Sequence, residues 1–183
     1  MKKITIAISG LPVSGTSTLG KCIAKKFGLK FFSTGSFFKK FFEETSETLS
    51  ALEGLQSKFG RKREVHEQLD KLQIEVGKKG NVVVVGKLAI YMLRKIANVK
   101  IWVEAPLEIR AKRAAKRDKI GIEEARKILK ERERLEKKVF KKIYGIDYVK
   151  RQRKLADILI ENVYKKKKAC ELLENAIKEI LRL

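Results

Sequence analysis

The chain has 183 residues, which suits one domain, and its hydrophobic share of 44% is enough for a single core. No apolar run approaches the roughly 20 residues of a membrane helix, and no signal peptide precedes the first predicted strand, so we expect a cytoplasmic protein without a membrane role. Lys and Arg number 44 against 22 Asp and Glu, and the resulting net charge of +22 would attract polyanions.

The first predicted elements are a hydrophobic strand, a glycine-rich loop and a helix. Apolar residues predict the strand over Ile4–Ile8 and the helix over Ser17–Phe27. Gly10 and Gly15 have the spacing of the phosphate loop G-x-x-x-x-G-K-[ST], in the context of strand and helix that the motif requires. Thr16 stands where this motif has its lysine. The segment therefore predicts a site for a nucleotide triphosphate, and the missing lysine raises the question of whether chemistry survives.

The chemistry of the predicted loop depends on its backbone. Gly10 and Gly15 allow tight turns that bring N–H groups to a phosphate, and the first turn of the helix adds unpaired N–H groups and the positive end of its dipole. The Ser17 hydroxyl is positioned to coordinate magnesium. Lys21 is a poor substitute for the missing lysine, because five residues along a helix is a rotation of roughly 140°.

Further along the chain, short apolar segments alternate with amphipathic ones. The strand candidates are Lys30–Ser33, Asn81–Val85, Val99–Val103 and Asp157–Glu161. The helix candidates are Ser36–Glu44, Arg63–Lys78, Leu88–Ile96, Leu107–Arg117, Ile122–Lys142 and Lys168–Leu181. This alternation predicts an α/β fold with a five-stranded parallel sheet and helices on both faces.

Two charged or polar segments interrupt this pattern. Glu43–Arg63 is weakly patterned and is predicted to be a mobile helical insert, and the highly charged Lys119–Asp147 is predicted to form a lid. We therefore predict one domain over residues 1–183, with an insert at about 34–80 and a lid at about 117–147.

Histidine and cysteine are scarce. His66 is the only histidine, which gives little support to a histidine metal site or a Ser-His-Asp triad. Cys22 and Cys170 lie far apart in the sequence on predicted helices, so we expect two buried free thiols in a reducing cytoplasm.

Several short motifs follow one another in a distinctive order. They are Ile8–Pro12, Ser14–Thr16, Gly28–Leu29, Ser33–Gly35, Ala105–Glu108 with Arg110 and Arg113, Arg132–Glu133 with Glu136, and Ile143–Asp147. Their order resembles archaeal-type cytidylate kinases, which are nucleoside monophosphate kinases, over nearly the whole chain. The most specific match is Arg132–Glu133 with Glu136, followed by Ile143–Asp147. The resemblance implies a P-loop kinase fold with a monophosphate-binding helical insert and a lid, and several members of that family also carry threonine in place of the loop lysine.

The resemblance implies a reaction in which ATP, with Mg²⁺, transfers its γ-phosphoryl group to CMP or dCMP. Residues that would bind ATP are Gly10, Leu11, Pro12, Val13, Ser14, Gly15, Thr16, Ser17 and Thr18, with Ser17 also on the metal. The catalytic cations would be Arg110, Arg113, Arg117 and Arg132, whose guanidinium groups bind phosphate in a bidentate manner. The acceptor would contact Ser33, Lys39, Lys87 and Asp70. For each arginine, and for Asp70 with Gln73, a solvated helix face is the alternative.

The chain also departs from that family at its site. Ser36 replaces an expected acid, and Lys39 replaces an expected arginine. After the third strand, Val85 replaces an acid expected near magnesium, and Lys87 replaces a second arginine. Val13 replaces a glycine expected within the phosphate loop.

These departures leave two hypotheses. The first is a working but divergent cytidylate kinase that is monomeric. The second is a catalytically degenerate kinase-like fold that binds RNA or the ribosome through its basic surface.

Overall fold

A five-stranded parallel sheet forms the centre of the computed structural model, which describes residues 3–39 and 63–183. The strands are β1 (Thr5–Gly10), β2 (Lys30–Ser33), β3 (Val82–Val85), β4 (Val99–Glu104) and β5 (Ile158–Glu161). Their order across the sheet is β2-β3-β1-β4-β5, and every pair is parallel. The predicted α/β class and parallel sheet are confirmed.

The helices follow the strands in the sequence, singly or in groups. They are α1 (Thr16–Lys26), α2 (Thr34–Lys39), α3 (Arg63–Lys79), α4 (Ala89–Met92), α5 (Leu107–Asp118), α6 (Ile122–Tyr144), α7 (Tyr148–Leu155) and α8 (Lys166–Leu181). Most of the predicted insert at Glu43–Arg63 lies outside the described residues. In the described ranges, no helix is long and apolar enough to cross a membrane.

Alternating side chains of the central strands build a core on each face of the sheet. On one face, Ile6 and Ile8 of β1 join Val83 and a cluster that includes residues of α1 and α8. On the other face, Ala7 of β1 and Trp102 of β4 join a cluster that includes residues of α4, α6 and α7. All four residues of β3 are buried, as expected for a strand in the interior of a parallel sheet.

The expectation of two free thiols is wrong. Cys22 of α1 and Cys170 of α8 form a disulfide, with their Cα atoms 6.3 Å apart and a sequence separation of 148. Both helices pack on the same face of the sheet, and the ion pair between Lys26 and Glu174, at 3.0 Å, joins them again. Sequence separation could not reveal this proximity, because it arises from the order of the strands.

Candidate active site

The carboxyl ends of β1 and β3 open into a cavity of about 590 Å³. In open α/β sheets, ligands bind at this edge, where neighbouring strands send their connections to opposite sides. The chain leaves β1 towards β2 and leaves β3 towards β4, so β1 and β3 flank such a point. The cavity wall combines the predicted phosphate loop with residues of α3, α5 and α6.

The loop that follows β1 has the conformation its sequence pattern requires. A Cβ atom on Gly10 would overlap the carbonyl oxygen of Val103, so the close approach of β4 requires glycine. Gly15 has a φ of 99° at the start of α1. Val13 has a φ of 59°, in the left-handed region that a β-branched residue rarely adopts. This backbone geometry favours the glycine that the resemblance led us to expect here, and Val13 adopts it with strain.

A carbonyl on the outer side of the loop is held by two side chains. The Ser14 oxygen accepts hydrogen bonds from Asn162 Nδ2 at 2.8 Å and from an Arg113 guanidinium nitrogen at 3.2 Å. Peptide bonds in the described residues are trans, so the N–H of Gly15 points away from this carbonyl. Asn162 and Arg113 thereby fix the direction of a donor in the loop.

Arg110 likewise binds a backbone carbonyl, in the turn that precedes Ser14. It is 4% exposed, and its guanidinium group donates to the carbonyls of Pro12 at 3.2 Å and Ala105 at 2.8 Å and pairs with Glu133. Because the peptide bond is trans, binding of the Pro12 carbonyl by Arg110 directs the Val13 N–H away from Arg110. Arg110 does not line the cavity, so its geometry is that of a loop support and not of the phosphate-binding cation that we predicted.

The other three predicted arginines line the cavity. Arg113 lies beside the loop, and Arg132 lies on α6, where its Nε atom donates to Glu136 at 3.0 Å. Arg117 forms two hydrogen bonds with Asp118, at 2.8 and 2.9 Å. Lys21 also lines the cavity, with its ammonium group 5.8 Å from the centre of the Phe31 ring, which differs from the expectation that it faces elsewhere.

A buried carboxylate joins two cations at the cavity. Glu136 accepts from Lys87 Nζ at 3.0 Å, from Arg132 Nε at 3.0 Å and from the Tyr148 hydroxyl at 2.8 Å. Burial acts to raise the pKa of Glu136, but the two cations outweigh it, and the pKa lies below its usual value. Removal from water lowers the pKa of Lys87 to about 8, although Glu136 opposes the fall. Lys87 Nζ also donates to the Gly10 carbonyl at 3.1 Å.

Polar groups of α3 and α6 meet in another part of the cavity wall. Asp70 accepts hydrogen bonds from the Tyr144 hydroxyl and, at 2.7 Å, from Gln73 Nε2. Gln73 is 2% exposed, and its Oε1 atom has no hydrogen-bond partner among the residues that the structure describes. Burial raises the pKa of Asp70 to about 6, although both hydrogen bonds oppose the rise. Asp70 and Gln73 therefore lie in the cavity wall and not on a solvated helix face.

Residues at the end of β2 complete this wall. Ser33 lines the cavity and its Oγ atom accepts from the Ser36 N–H at 3.4 Å. Thr34 donates to the Val85 carbonyl at 3.3 Å, and a Cβ atom on Gly86 would overlap the Thr34 hydroxyl. The side chain of Lys39 lies outside the described residues.

Sequence reasoning assigned no role in the site to His66, Phe140 or Asn162. His66 is 7% exposed and lies edge-on to the Phe140 ring at 5.8 Å, in the cavity wall. Neither residue gave a signal, because an aromatic residue on a helix is read as core. Asn162 follows β5 and reaches the loop only because β5 lies beside β4.

The residues present fit a magnesium ion that arrives with a nucleotide. Ser17 is exposed to the cavity in the first turn of α1, so its hydroxyl can serve as a ligand. Among the described residues there is no group of three or more His, Cys, Asp or Glu that could hold a metal by itself. This donor set suits Mg²⁺, which is often bound through one or two protein ligands together with substrate phosphates and water.

The sheet order, the phosphate loop and the cations around it define a P-loop kinase fold. Solved structures with this fold include an uncharacterised protein from Eubacterium ventriosum, with a TM-score of 0.69, 16% identity and coverage of 99% of this chain and 100% of that one. Another is a shikimate kinase from Acinetobacter baumannii in complex with shikimate, with a TM-score of 0.65, 16% identity and coverage of 99% and 94%. At these identities the likeness shows the fold alone.

Closer relatives place the chain more narrowly. The model of the cytidylate kinase-like family matches residues 5–164, and the chain belongs to that family. A cytidylate kinase from Pyrococcus horikoshii is 41% identical over 145 residues, covering 79% of this chain and 73% of that protein. One from Methanocaldococcus jannaschii is 41% identical over 146 residues, covering 78% and 80%. The chain is a nucleoside monophosphate kinase-like enzyme, and the predicted resemblance is confirmed.

Proposed function

We propose that this protein transfers the γ-phosphoryl group of ATP to CMP or dCMP and releases the diphosphate. The relatives named cytidylate kinase support the reaction. The observation that carries the choice of base is the unpartnered Oε1 atom of Gln73, buried in the cavity wall beside Asp70.

The hydrogen-bonding groups of cytosine match this wall. Cytosine has an exocyclic amino donor next to a ring-nitrogen acceptor. Gln73 Oε1 can accept a hydrogen bond from the amino group of cytosine. The Gln73 Nε2 atom is already directed at Asp70, which leaves the oxygen for the ligand. Uracil has an oxygen in place of the amino group, and a second oxygen facing Gln73 Oε1 would leave two acceptors unpaired.

Phosphoryl transfer needs aligned phosphates and a stabilised charge more than covalent help from the protein. We assign the ATP phosphates to the N–H groups of Val13 and Gly15, which Arg110, Arg113 and Asn162 orient, and to the first turn of α1. When bound, Mg²⁺ with Ser17 as one ligand would neutralise charge on the phosphates.

The remaining cations serve the group in transfer. Arg113, Arg117 and Arg132 line the cavity and would stabilise the charge that develops on the transferred phosphoryl group. Lys87 and, as predicted from the sequence, Lys39 would bind the acceptor phosphate as point charges. Val85 is apolar, so the metal would depend on Ser17 and the phosphates.

A coupled assay for ADP formation tests this proposal. The protein, ATP and Mg²⁺ are mixed separately with CMP, dCMP, UMP and AMP. We expect turnover with CMP or dCMP and a KM for UMP at least about tenfold higher. No diphosphate from either cytidine nucleotide at high enzyme concentration would contradict the activity. Equal use of CMP and UMP would contradict the role of Gln73.

The alternative of RNA or ribosome binding rests on the net charge of +22. The contacts described around the cavity favour the kinase, since they orient loop donors and cations for phosphate. Filter binding of a structured RNA at about 150 mM salt separates the two, because binding through charge alone weakens steeply with salt. The monomeric state stays a prediction.

A further inference from the structure

Glu136 is an unusual feature of the cavity because it is a carboxylate with 1% of its surface exposed. A buried carboxylate is costly unless it is paired and hydrogen-bonded. Glu136 meets this condition with three donors that come from three elements: Lys87 after β3, Arg132 one turn earlier on α6, and Tyr148 on α7. It therefore fixes two cations relative to each other.

Both cations keep one side towards the cavity. The side chains of Lys87 and Arg132 are 26% and 16% exposed, and both line the cavity. An ammonium group has three N–H donors, and within the described residues Lys87 uses two of them, on Glu136 and on the Gly10 carbonyl. The third remains for a phosphate at the mouth of a loop in which Thr16 replaces the lysine.

We propose that Glu136 is a positioning residue that holds Lys87 and Arg132 where the phosphoryl group passes between ATP and its acceptor. Lys87 thus provides, from the end of β3, an ammonium group beside a loop that has none at Thr16. The inference rests on the proposed function, since it names how the same site binds the phosphoryl group.

Lys87 makes the arrangement of Glu136, Lys87 and Arg132 sensitive to pH. Burial lowers the pKa of Lys87 to about 8, Glu136 and Glu133 of α6 raise it, and Arg132 lowers it. The other elements against it contribute the Gly10 carbonyl, the Tyr148 hydroxyl by way of Glu136, and the neutral Gln152, which donates to the Lys87 carbonyl at 2.6 Å. An arginine at position 87 would stay protonated throughout this range.

The direction of the change in activity with pH follows because the charged form of Lys87 is the active one. Lys87 is protonated below its pKa, so activity is retained at low pH and lost as the pH rises through about 8. Without the negative charge of Glu136, the ammonium form of Lys87 loses stabilisation and the loss of activity moves to lower pH.

The experiment compares pH profiles of kcat and of kcat/KM for CMP in wild type and four variants. In Glu136→Gln we expect the alkaline limb to shift by about one pH unit or more towards acid. Lys87→Arg should remove the limb, and the double variant should also lack it. Glu131→Gln is the matched control, because Glu131 lies on the same helix in an exposed pair with Arg134 and should leave the profile unchanged.

A second readout does not depend on turnover. The titration of the Lys87 side chain is followed by ¹³C NMR, and the affinity for CDP, which carries two phosphates, is measured by calorimetry at each pH. We expect the pKa of Lys87 to be lower in Glu136→Gln than in wild type. We also expect the CDP affinity of that variant to fall about tenfold at pH near 8.

The outcomes separate the inference from the proposed function. An unshifted Lys87 titration, or CDP affinity unchanged in Glu136→Gln, would overturn the inference even in an active enzyme. A uniform loss of kcat at every pH, with the same limb in Lys87→Arg, would do the same. A wild type that binds CDP as expected but forms none from CMP would overturn the proposed function and leave the positioning role supported.

Discussion

At the scale of single residues, the orientation of each peptide in the phosphate loop depends on the side chains that bind its carbonyl. Asn162, Arg113 and Arg110 hold loop carbonyls, and these contacts leave the N–H groups of Val13 and Gly15 on the other side. The spacing of the glycines predicted the loop, but it could not reveal the residues that orient it. Those residues are distant in the sequence, and strand order alone brings them to the loop.

Gly10 should be intolerant of any side chain. In Gly10→Ala, the new Cβ atom would overlap the Val103 carbonyl, which belongs to the backbone of β4 and cannot rotate away. We expect the free energy of unfolding to fall by about 2 kcal/mol or more, measured by urea denaturation. Gly121→Ala is the control. Gly121 has an ordinary φ of −65°, and a Cβ atom added there would meet no neighbour within 4 Å. The free energy of unfolding of this variant should stay within about 0.5 kcal/mol of wild type. Equal stabilities for the two variants would contradict the expected clash.

Gln73 should affect the KM for the acceptor nucleotide and not the KM for ATP. Gln73→Leu keeps the approximate volume but removes the buried Oε1 acceptor and the donor to Asp70. Losing a buried partner costs about 1–3 kcal/mol, so we expect KM for CMP to rise about 5- to 150-fold while KM for ATP stays within about twofold.

The control for this variant lies on the same helix. Gln68 is exposed on α3, and Gln68→Leu should leave both KM values unchanged. A Gln73→Leu enzyme that binds CMP normally in steady-state assays would show that the base lies elsewhere in the cavity.

At the scale of secondary-structure elements, the segment Tyr-Gly-Ile-Asp at 144–147 is a joint between two helices. Tyr144 ends α6 and binds Asp70, and Gly145 caps that helix with a φ of 69°. Ile146 packs against the core on one face of the sheet, and Asp147 caps α7 by accepting from the N–H groups of Val149 and Lys150, both at 3.1 Å. This part of the most specific sequence match therefore contains one cavity residue, Tyr144, and others that shape the turn.

Helix α7 was absent from the sequence prediction. Its eight residues carry four basic side chains, Lys150, Arg151, Arg153 and Lys154, which hid its short apolar face. The buried residues of this helix, Tyr148 and Gln152, contact Glu136 and the Lys87 carbonyl. In contrast, long helices such as α6 were predicted to within a few residues, because their periodicity extends over many turns.

The disulfide between α1 and α8 should contribute strongly to stability. Cys22→Ser removes a link across 148 residues, and we expect the free energy of unfolding to fall by about 2–5 kcal/mol in oxidising buffer. Cys170→Ser should give the same loss, and reductant should lower the wild type to the level of the variants. Urea unfolding monitored by circular dichroism measures the effect, and a wild type indifferent to reductant would contradict it.

At the scale of the whole molecule, the net charge of +22 should act on the rate at which nucleotides arrive. Positive potential raises the association rate of anions such as ATP, and salt screens it. We expect kcat/KM for ATP to fall several-fold between about 50 and 300 mM KCl while kcat changes little. Steady-state kinetics at constant pH test this, and a kcat/KM independent of salt would show that the charge does not serve substrate capture.

The whole fold could be predicted more fully than the site. Strand and helix alternation gave the parallel sheet, and the motifs gave the family, because both signals are local in sequence. The cavity brings together α3, α5 and α6 with the loop after β1, and such distant contacts have no local signal. The pairing of Glu136 with Lys87 and the disulfide of Cys22 with Cys170 are two examples.

The bond between Cys22 and Cys170 has a consequence for the integrity of the polypeptide. It joins positions near the two ends, so most of the chain lies within one covalent ring. A protease that cuts once inside this ring leaves both fragments tethered, and they migrate as one species on a gel until a thiol is added. Such a nicked molecule can keep its parts at high effective concentration and reassemble them as a single body.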